Sequence, residues 1–450
     1  MRSEILSGLN GSRLRLRRAR IHSSLLGAPL RAPTDEDGLV DADIEISDGR
    51  IAAIAPGGTF AAADALDLEY GQVWPAFIDV HSHLDIGHTW PRAPNRDGTL
   101  ASALAATAAD HAKQWPADDV RRRFEFGLRC AYAHGVAAIR THLDSDPPEA
   151  EKHWAVFREL RDSWAGRIDL EATCLVAMGV LETEFGPVLA DLVARSGGYL
   201  GAVTPVGIEG DDALGTRFLQ MLDRVFELAE ERCLDLDLHV DESGENGARA
   251  LGHIARTALR RRFPGKILCG HCCSLAVQSD EVIRETLAVC VDAGISVVSL
   301  PECNMYLNDR IPGRTPRWRG VTLLHEMDSC GIPIAIGHDD CRNAFHGFGD
   351  QDMLEAFRMA VRIAHLDRPY GRWPQTVTLT PAGLMKLKGR GTVAVGNPAD
   401  VILLKARTMS ELVSRPQSDR IVLRRGRAID SSPPDYRELD DLQSERATVQ

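Results

Sequence analysis

From Pro75 to about Leu387, short apolar segments alternate with longer helical stretches, a rhythm that few folds accept. The segments are AFIDV, VAAIRTHLD, LEATCLVAM, LGAVTPVG, LDLDLHVDE, ILCGHC, ISVVSLP and IPIAIGHDD. Eight such strands fit a (β/α)8 TIM-type barrel, an α/β fold whose interior takes continuous apolar runs and whose chemistry sits at the C-terminal ends of the strands.

The flanking sequence has a different texture. Before Val73 it reads as strands broken by turns: RLRLRRARI, then DADIEI, the turn SDGR, and IAAIA. Strand-like segments return past Leu387 as GTVAVGNPADVILLKA and RIVLRRGRAI. The two ends are therefore expected to pair into one small β-sandwich domain. The division expected is 1–74 and 388–430 for that domain, 75–387 for the barrel, and a polar, proline-interrupted, loosely held tail over 431–450.

A formal net charge of −12 argues against nucleic acid as a partner, because phosphate binding needs a basic surface. The basic run at Arg13–Arg20 is not followed by an apolar stretch, so an export signal is not expected. No run of about 18 apolar residues occurs, so no membrane span is expected. The ten cysteines show no framework spacing, which suits reduced thiols and a cytoplasmic location. A small-molecule substrate and a homo-oligomeric assembly are expected.

The chemistry is concentrated at strand ends. His81 and His83 flank Ser82 directly after AFIDV, and residues i and i+2 of a strand point the same way, so both imidazoles can converge on one metal ion. Alone, such a pair is better explained by two exposed loop histidines. His239 after LDLDL, His271 after ILCG and Asp339 after IPIAIGH repeat the placement, and that repetition favours a metal site. Glu242, three residues past His239, is either a solvated loop carboxylate or a proton carrier.

HSHLD at His81–Asp85, RTHLD at Arg140–Asp144, HVDE at His239–Glu242, GH at Gly270–His271 and GHDD at Gly337–Asp340 occur in that order. With WRG at Trp318–Gly320 and GNPADVILL at Gly396–Leu404, the chain resembles the cytosine deaminase branch of the amidohydrolase superfamily from about Arg50 to Asp400. The resemblance implies that His81, His83, His239 and Asp339 hold one divalent ion, zinc or iron, that Glu242 shuttles protons, and that His271 polarises the attacking water. Asp339 then doubles as the base that takes a proton from that water. Relatives with two metals bridge them with a carboxylated lysine. The six lysines here, at 113, 152, 266, 386, 388 and 405, end none of the central strands, which implies a single ion unless a glutamate or cysteine takes the bridging place.

The implied reaction is hydrolytic deamination of an amino-substituted nitrogen heterocycle: a modified pyrimidine, a triazine, a creatinine-like ring or a purine. Cleavage of a cyclic amide or an N-alkylamino triazine is the nearest alternative, and a non-catalytic binding protein on the same barrel a distant one. Asp340, Asn304, Phe345 and Trp90 are candidates to read the ring, Phe345 and Trp90 being equally explained by packing. Asp85 and His142 are either supports for the ligands or ordinary strand-end polar residues. His338, one residue out of phase with Asp339, reads as structural.

The chain departs from its resemblance at Ala177, which aligns with the glutamine that recognises the polar edge of cytosine. A buried polar group left without its partner costs on the order of 1–3 kcal/mol. At about 1.4 kcal/mol per tenfold, cytosine should lose roughly tenfold to hundredfold in kcat/KM relative to a preferred substrate. Steady-state kinetics of the wild type and of Ala177→Gln on cytosine check this; efficient cytosine turnover by the wild type refutes it.

Overall fold

The computed structural model describes residues 13–205 and 216–443. Contacts group the chain into two compact units. One comprises Met1–Asp79, Arg129–Ala138 and Asp352–Pro434; the other comprises Val80–Leu128, Ile139–Gln351 and the stretch from Asp435 onward.

The chain forms the expected barrel. Strands Phe77–Ser82, Val136–Asp144 and Asp169–Leu175 follow one another in one sheet, and Leu236–Val240, Ile267–His271, Ser296–Ser299 and Ile334–Ile336 in another. The second set is parallel throughout. Residues 199–203 take the remaining place: Tyr199 and Val203 bridge to Thr173 and Ala177 on one side, while Leu200 and Val203 bridge to Leu236 and His239 on the other. A parallel bridge from Ser82 to Asp339 closes the ring. Val206 and Gly207, the last two residues of LGAVTPVG, lie outside the described residues.

Helices cover the strands because one stripe of each is apolar. In Ala250–Arg261 the residues Ala250, Leu251, Ile254, Ala255 and Ala258 are buried, spaced by three and four, while Arg260 and Arg261 end the helix where cations favour its dipole. Strand residues are buried on both faces, as parallel sheets inside a helical layer require.

The other unit holds two four-stranded sheets. In the first, Arg13–His22 pairs with Leu39–Ser47, and that strand with Arg50–Pro56. The register of the first pair shifts between Leu16 and Ala19, where Arg18 has φ 50° and its N–H is taken by Asp43. The basic run is an ordinary amphipathic strand: Leu14 and Leu16 are buried, while Arg13 and Arg15 pair with Glu45, and Arg18 with Asp67. In the second sheet Val73–Pro75 pairs antiparallel with Val401–Leu403, Trp74 opposite Ile402, so the two ends of the chain share a sheet. The unit also takes in the helix Met353–Ala364, which the expected bounds of 75–387 assign to the barrel.

Part of the 431–450 tail, expected to be loosely held, is tied down over residues 435–443. Tyr436–Leu439 and Asp440–Gln443 form short helical turns, and Arg122 makes a bidentate pair with Asp441 at 2.6 and 2.8 Å. Composition reports a segment's own apolar content and is silent on partners more than 300 residues away. The remainder of the tail, 444–450, lies outside the described residues. Among the described residues no helix is long and apolar enough to cross a membrane.

Candidate active site

Strand geometry brings the histidines together. His81 is the last but one residue of a barrel strand and His83 lies two residues on, His239 and His271 arrive from adjacent strands, and Asp339 follows a fourth. All five are at most 4% exposed. The His83 Nε2 atom stands 3.3 Å from His239 Nε2 and 3.2 Å from Asp339 Oδ1, and His81 Nε2 is 3.4 Å from the same oxygen. Ligand atoms arranged tetrahedrally around a zinc-sized ion, at bonds of about 2.0–2.1 Å, stand about 3.3–3.4 Å apart. Three imidazoles and a carboxylate at that spacing fit a divalent ion.

Backbone conformation aims two of these groups. His271 and Asp339 have φ of 67° and 68°, a left-handed conformation that costs a non-glycine residue about 1 kcal/mol or more and is kept where surrounding structure imposes it. The glycines of GH and GHDD make room for His81: a Cβ on Gly270 would meet His81 Cε1 at 3.0 Å, and one on Gly337 would meet His81 Cβ at 3.0 Å. Both are tighter than ordinary contact.

Charge is divided unevenly in this space. Burial, with His142 close by, holds His81 well below the usual imidazole range, and burial with its neighbouring rings does the same to His239. Burial opposes protonation of His83 too, but Asp340 and Asp339 outweigh it and push that ring up to about 10. Asp339 is held well below the carboxylate range: burial favours its neutral form, and hydrogen bonding from His81 and His83 overrides that. Glu242 is raised well above its ordinary value by burial and by the carboxylates of Asp339 and Asp340. Burial raises Asp340 to about 7.

Asn304 links two of the predicted residues. Its amide lies 2.9 Å from His271 Nδ1 and 3.4 Å from Glu242 Oε1. With the amide donating to Nδ1, a neutral His271 carries its proton on Nε2. Burial lowers His271 to about 4, which keeps the ring neutral at physiological pH.

Of the residues singled out from the sequence, His81, His83, His239, His271, Asp339, Glu242, Asp340 and Asn304 come together. Phe345 is half-buried in the following loop, its carbonyl 4.0 Å from Cys303 Sγ. Trp90 lies against Gly347. Ala177 is exposed just past its strand, outside the buried group. His338 accepts from the Gln351 N–H, in keeping with a structural role, and Asp85 contacts His153 Nδ1 at 2.7 Å.

Sequence reasoning undervalued what lies beneath. His142 packs 4.0 Å from His81 and 4.7 Å from His239 by ring centroid, with Nε2 3.4 Å from Asp237 Oδ1. Asp237 also takes a 3.1 Å bond from Arg140, whose guanidinium lies 3.7 Å from the Tyr199 ring centroid and pairs with Glu171. A signal was available: Arg140 and His142, like Asp237 and His239, are i, i+2 polar pairs inside otherwise apolar strands. Cys303, 3.8 Å from Asp340 Oδ2, was also missed. With Glu242 and Asp339 it forms a further group of donor atoms within 4.8 Å of one another.

The amidohydrolase family profile matches residues 177–429. Pterin deaminase of Rhizobium rhizogenes is 47% identical over 408 residues, covering 90% of this chain and 92% of that protein. N-isopropylammelide isopropyl amidohydrolase of a Pseudomonas species is 22% identical over 399 residues, 86% of this chain and 93% of its own length. Among solved structures, 5-methylcytosine deaminase of Klebsiella pneumoniae liganded with 5-fluorocytosine superposes with a TM-score of 0.75 at 23% identity, covering 92% of this chain and 97% of that one.

The buried Asp237–Arg140 pair gives a stability expectation. Asp237→Ala takes from the buried Arg140 one of its two carboxylate partners and leaves Glu171 as the other, and should cost about 1–3 kcal/mol, the scale of losing a hydrogen bond between charged groups. Denaturant unfolding measures it; a loss below about 1 kcal/mol, the range of an exposed pair, contradicts it.

Proposed function

This chain belongs to the amidohydrolase family, and on that premise we propose that it removes the amino group of a 2-amino-4-oxopteridine ring by hydrolysis. It is a hydrolytic enzyme acting on carbon–nitrogen bonds. The observation that carries the substrate is the 47% identity to a pterin deaminase over nine-tenths of both chains. Ala177 in place of a longer, edge-reading side chain supports it, because a fused second ring needs space that a single pyrimidine does not.

In this reading His81, His83, His239 and Asp339 hold one zinc or iron ion. When bound, the ion supplies Lewis acidity that makes water nucleophilic near neutral pH. Glu242, kept protonated by burial and its carboxylate neighbours, gives its proton to the ring nitrogen beside the amino-bearing carbon, which makes that carbon electrophilic. Asp339, kept ionised by the histidines, accepts a proton from the attacking water. His271 donates its Nε2 proton to the incoming oxygen as a hydrogen bond, its tautomer held by Asn304. Proton return to the amine lets it leave as ammonia, and a carbonyl takes its place.

Ammonia release from a panel of pterin, cytosine, guanine and an aminotriazine tests the substrate; a higher kcat/KM on any ring other than pterin overturns it. Elemental analysis should find one ion per chain, lost from the double variant His81→Ala with His83→Ala; two tightly bound ions per chain contradict the assignment. Coordination needs a neutral imidazole, so loading metal-free protein at pH 8 should expel a proton from His83, which holds it up to about 10, and affinity should rise with pH below that value. Titration in lightly buffered solution reads that proton. Glu242→Gln should keep the metal and lose about a hundredfold or more in kcat, because an amide cannot carry a proton; turnover within a few fold of wild type removes Glu242 from its role.

A further inference from the structure

We infer that the C-terminal stretch 435–443 is a positioning element for the substrate side of the site, fixing the two loops that carry Trp90 and Asp340. The loops are joined to each other: His88 N–H donates to Cys341 O at 2.9 Å, Trp90 N–H donates to Arg342 O at 2.7 Å, and the Trp90 ring lies against Gly347. Inward, the second loop is pinned through Gln351, whose N–H donates to His338 Nε2 at 3.1 Å and whose Oε1 accepts from Ser82 Oγ at 3.1 Å. Outward, the tail holds both.

Tyr436 donates its hydroxyl to Asp350 Oδ1 at 2.8 Å, and the Arg342 guanidinium lies 4.3 Å from its ring centroid. Those contacts fix the far part of the second loop. The same ring sits 5.7 Å from Phe126 and 6.2 Å from His88, and Gln443 Nε2 donates to His88 O at 2.7 Å, so the first loop is gripped as well. Arg122 anchors the tail itself through Asp441 and the Glu438 carbonyl.

The metal-ligand candidates do not depend on this grip. Asp339 N–H bonds to His81 O at 2.9 Å within the barrel wall, one residue before the loop begins at Asp340. Loosening the tail therefore moves Asp340 and Trp90 while leaving the histidine and Asp339 cluster in place, which is a change in substrate binding rather than in metal binding or chemistry.

Full-length Tyr436→Ala, Tyr436→Phe and Gln443→Ala test this by amide hydrogen exchange, metal content and steady-state kinetics. Tyr436→Ala should speed exchange in residues 86–92 and 341–350 without changing it in Leu236–Val240, and should keep full metal content. Its KM should rise about tenfold with kcat within about threefold, the scale of losing the aromatic and cation–π contacts that the ring makes with Phe126, His88 and Arg342. Tyr436→Phe, which keeps the ring and loses only the bond to Asp350, should recover most of the KM. Unchanged exchange in both loops overturns the inference, as does a lowered melting temperature with unchanged KM, or metal lost in step with activity. The kinetic arm rests on the deaminase reading and the exchange arm does not: wild-type protein that releases no ammonia from any ring defeats that reading, and loop exchange still decides the role of the tail.

Discussion

Burying three imidazoles and a carboxylate so that His83 stands 3.2–3.3 Å from Asp339 and His239, and His81 3.4 Å from Asp339, is unfavourable unless a cation stands among them, and the rest of the barrel is arranged to impose it. Four strands end at this point. Two residues accept left-handed backbone, and two glycines give up side chains so that the His81 ring fits between neighbouring strands. Such concentrated strain is what a site selected for binding retains and a core selected for stability loses.

Beneath the cluster, the barrel interior is polar where an aliphatic layer would be ordinary. Arg140, Asp237, His142 and Glu171 form a chain of buried contacts directly under His81 and His239. The Asp237 carboxylate is kept ionised: burial disfavours its charge, and His142 with Arg140 restores it. An anion at that depth steadies the imidazoles above it and orients His142, whose Nε2 faces Asp237.

Three carboxylates share the upper part of the same space and end in different protonation states. Asp339 is kept ionised by two histidines, while Glu242 and Asp340 are raised by burial, with Asp339 adding to both. Carboxyl groups within a few ångströms of one another thereby differ in proton affinity, the separation that acid–base chemistry near neutral pH requires. Asn304 completes it without being charged, by contacting His271 and Glu242 together.

Residues 77–340 declared their fold and much of their site in linear order, because a barrel strand is a local object: its apolar run is contiguous, and the residue it delivers to the reaction face comes directly after it. His81, His83, His239, His271 and Asp339 were legible for that reason, and Glu242 by its offset from His239. What the order of residues could not show depends on neighbours far apart in the chain. Asn304 is a candidate to read the ring, but its contacts with His271 and Glu242 are not legible, since nothing within the helix Pro301–Leu307 tells which residues it faces. The sequence leaves His142 open between a support for the ligands and a strand-end polar group, and only closure of the ring sets it against Asp237. The tail reads as loose because it is polar and interrupted by prolines, yet Asp441 and Gln443 find partners more than 300 residues earlier, and Tyr436 one 86 residues earlier. Local pattern determined which residues reach the end of a strand; only ring closure and long-range packing decided what each of them touches there.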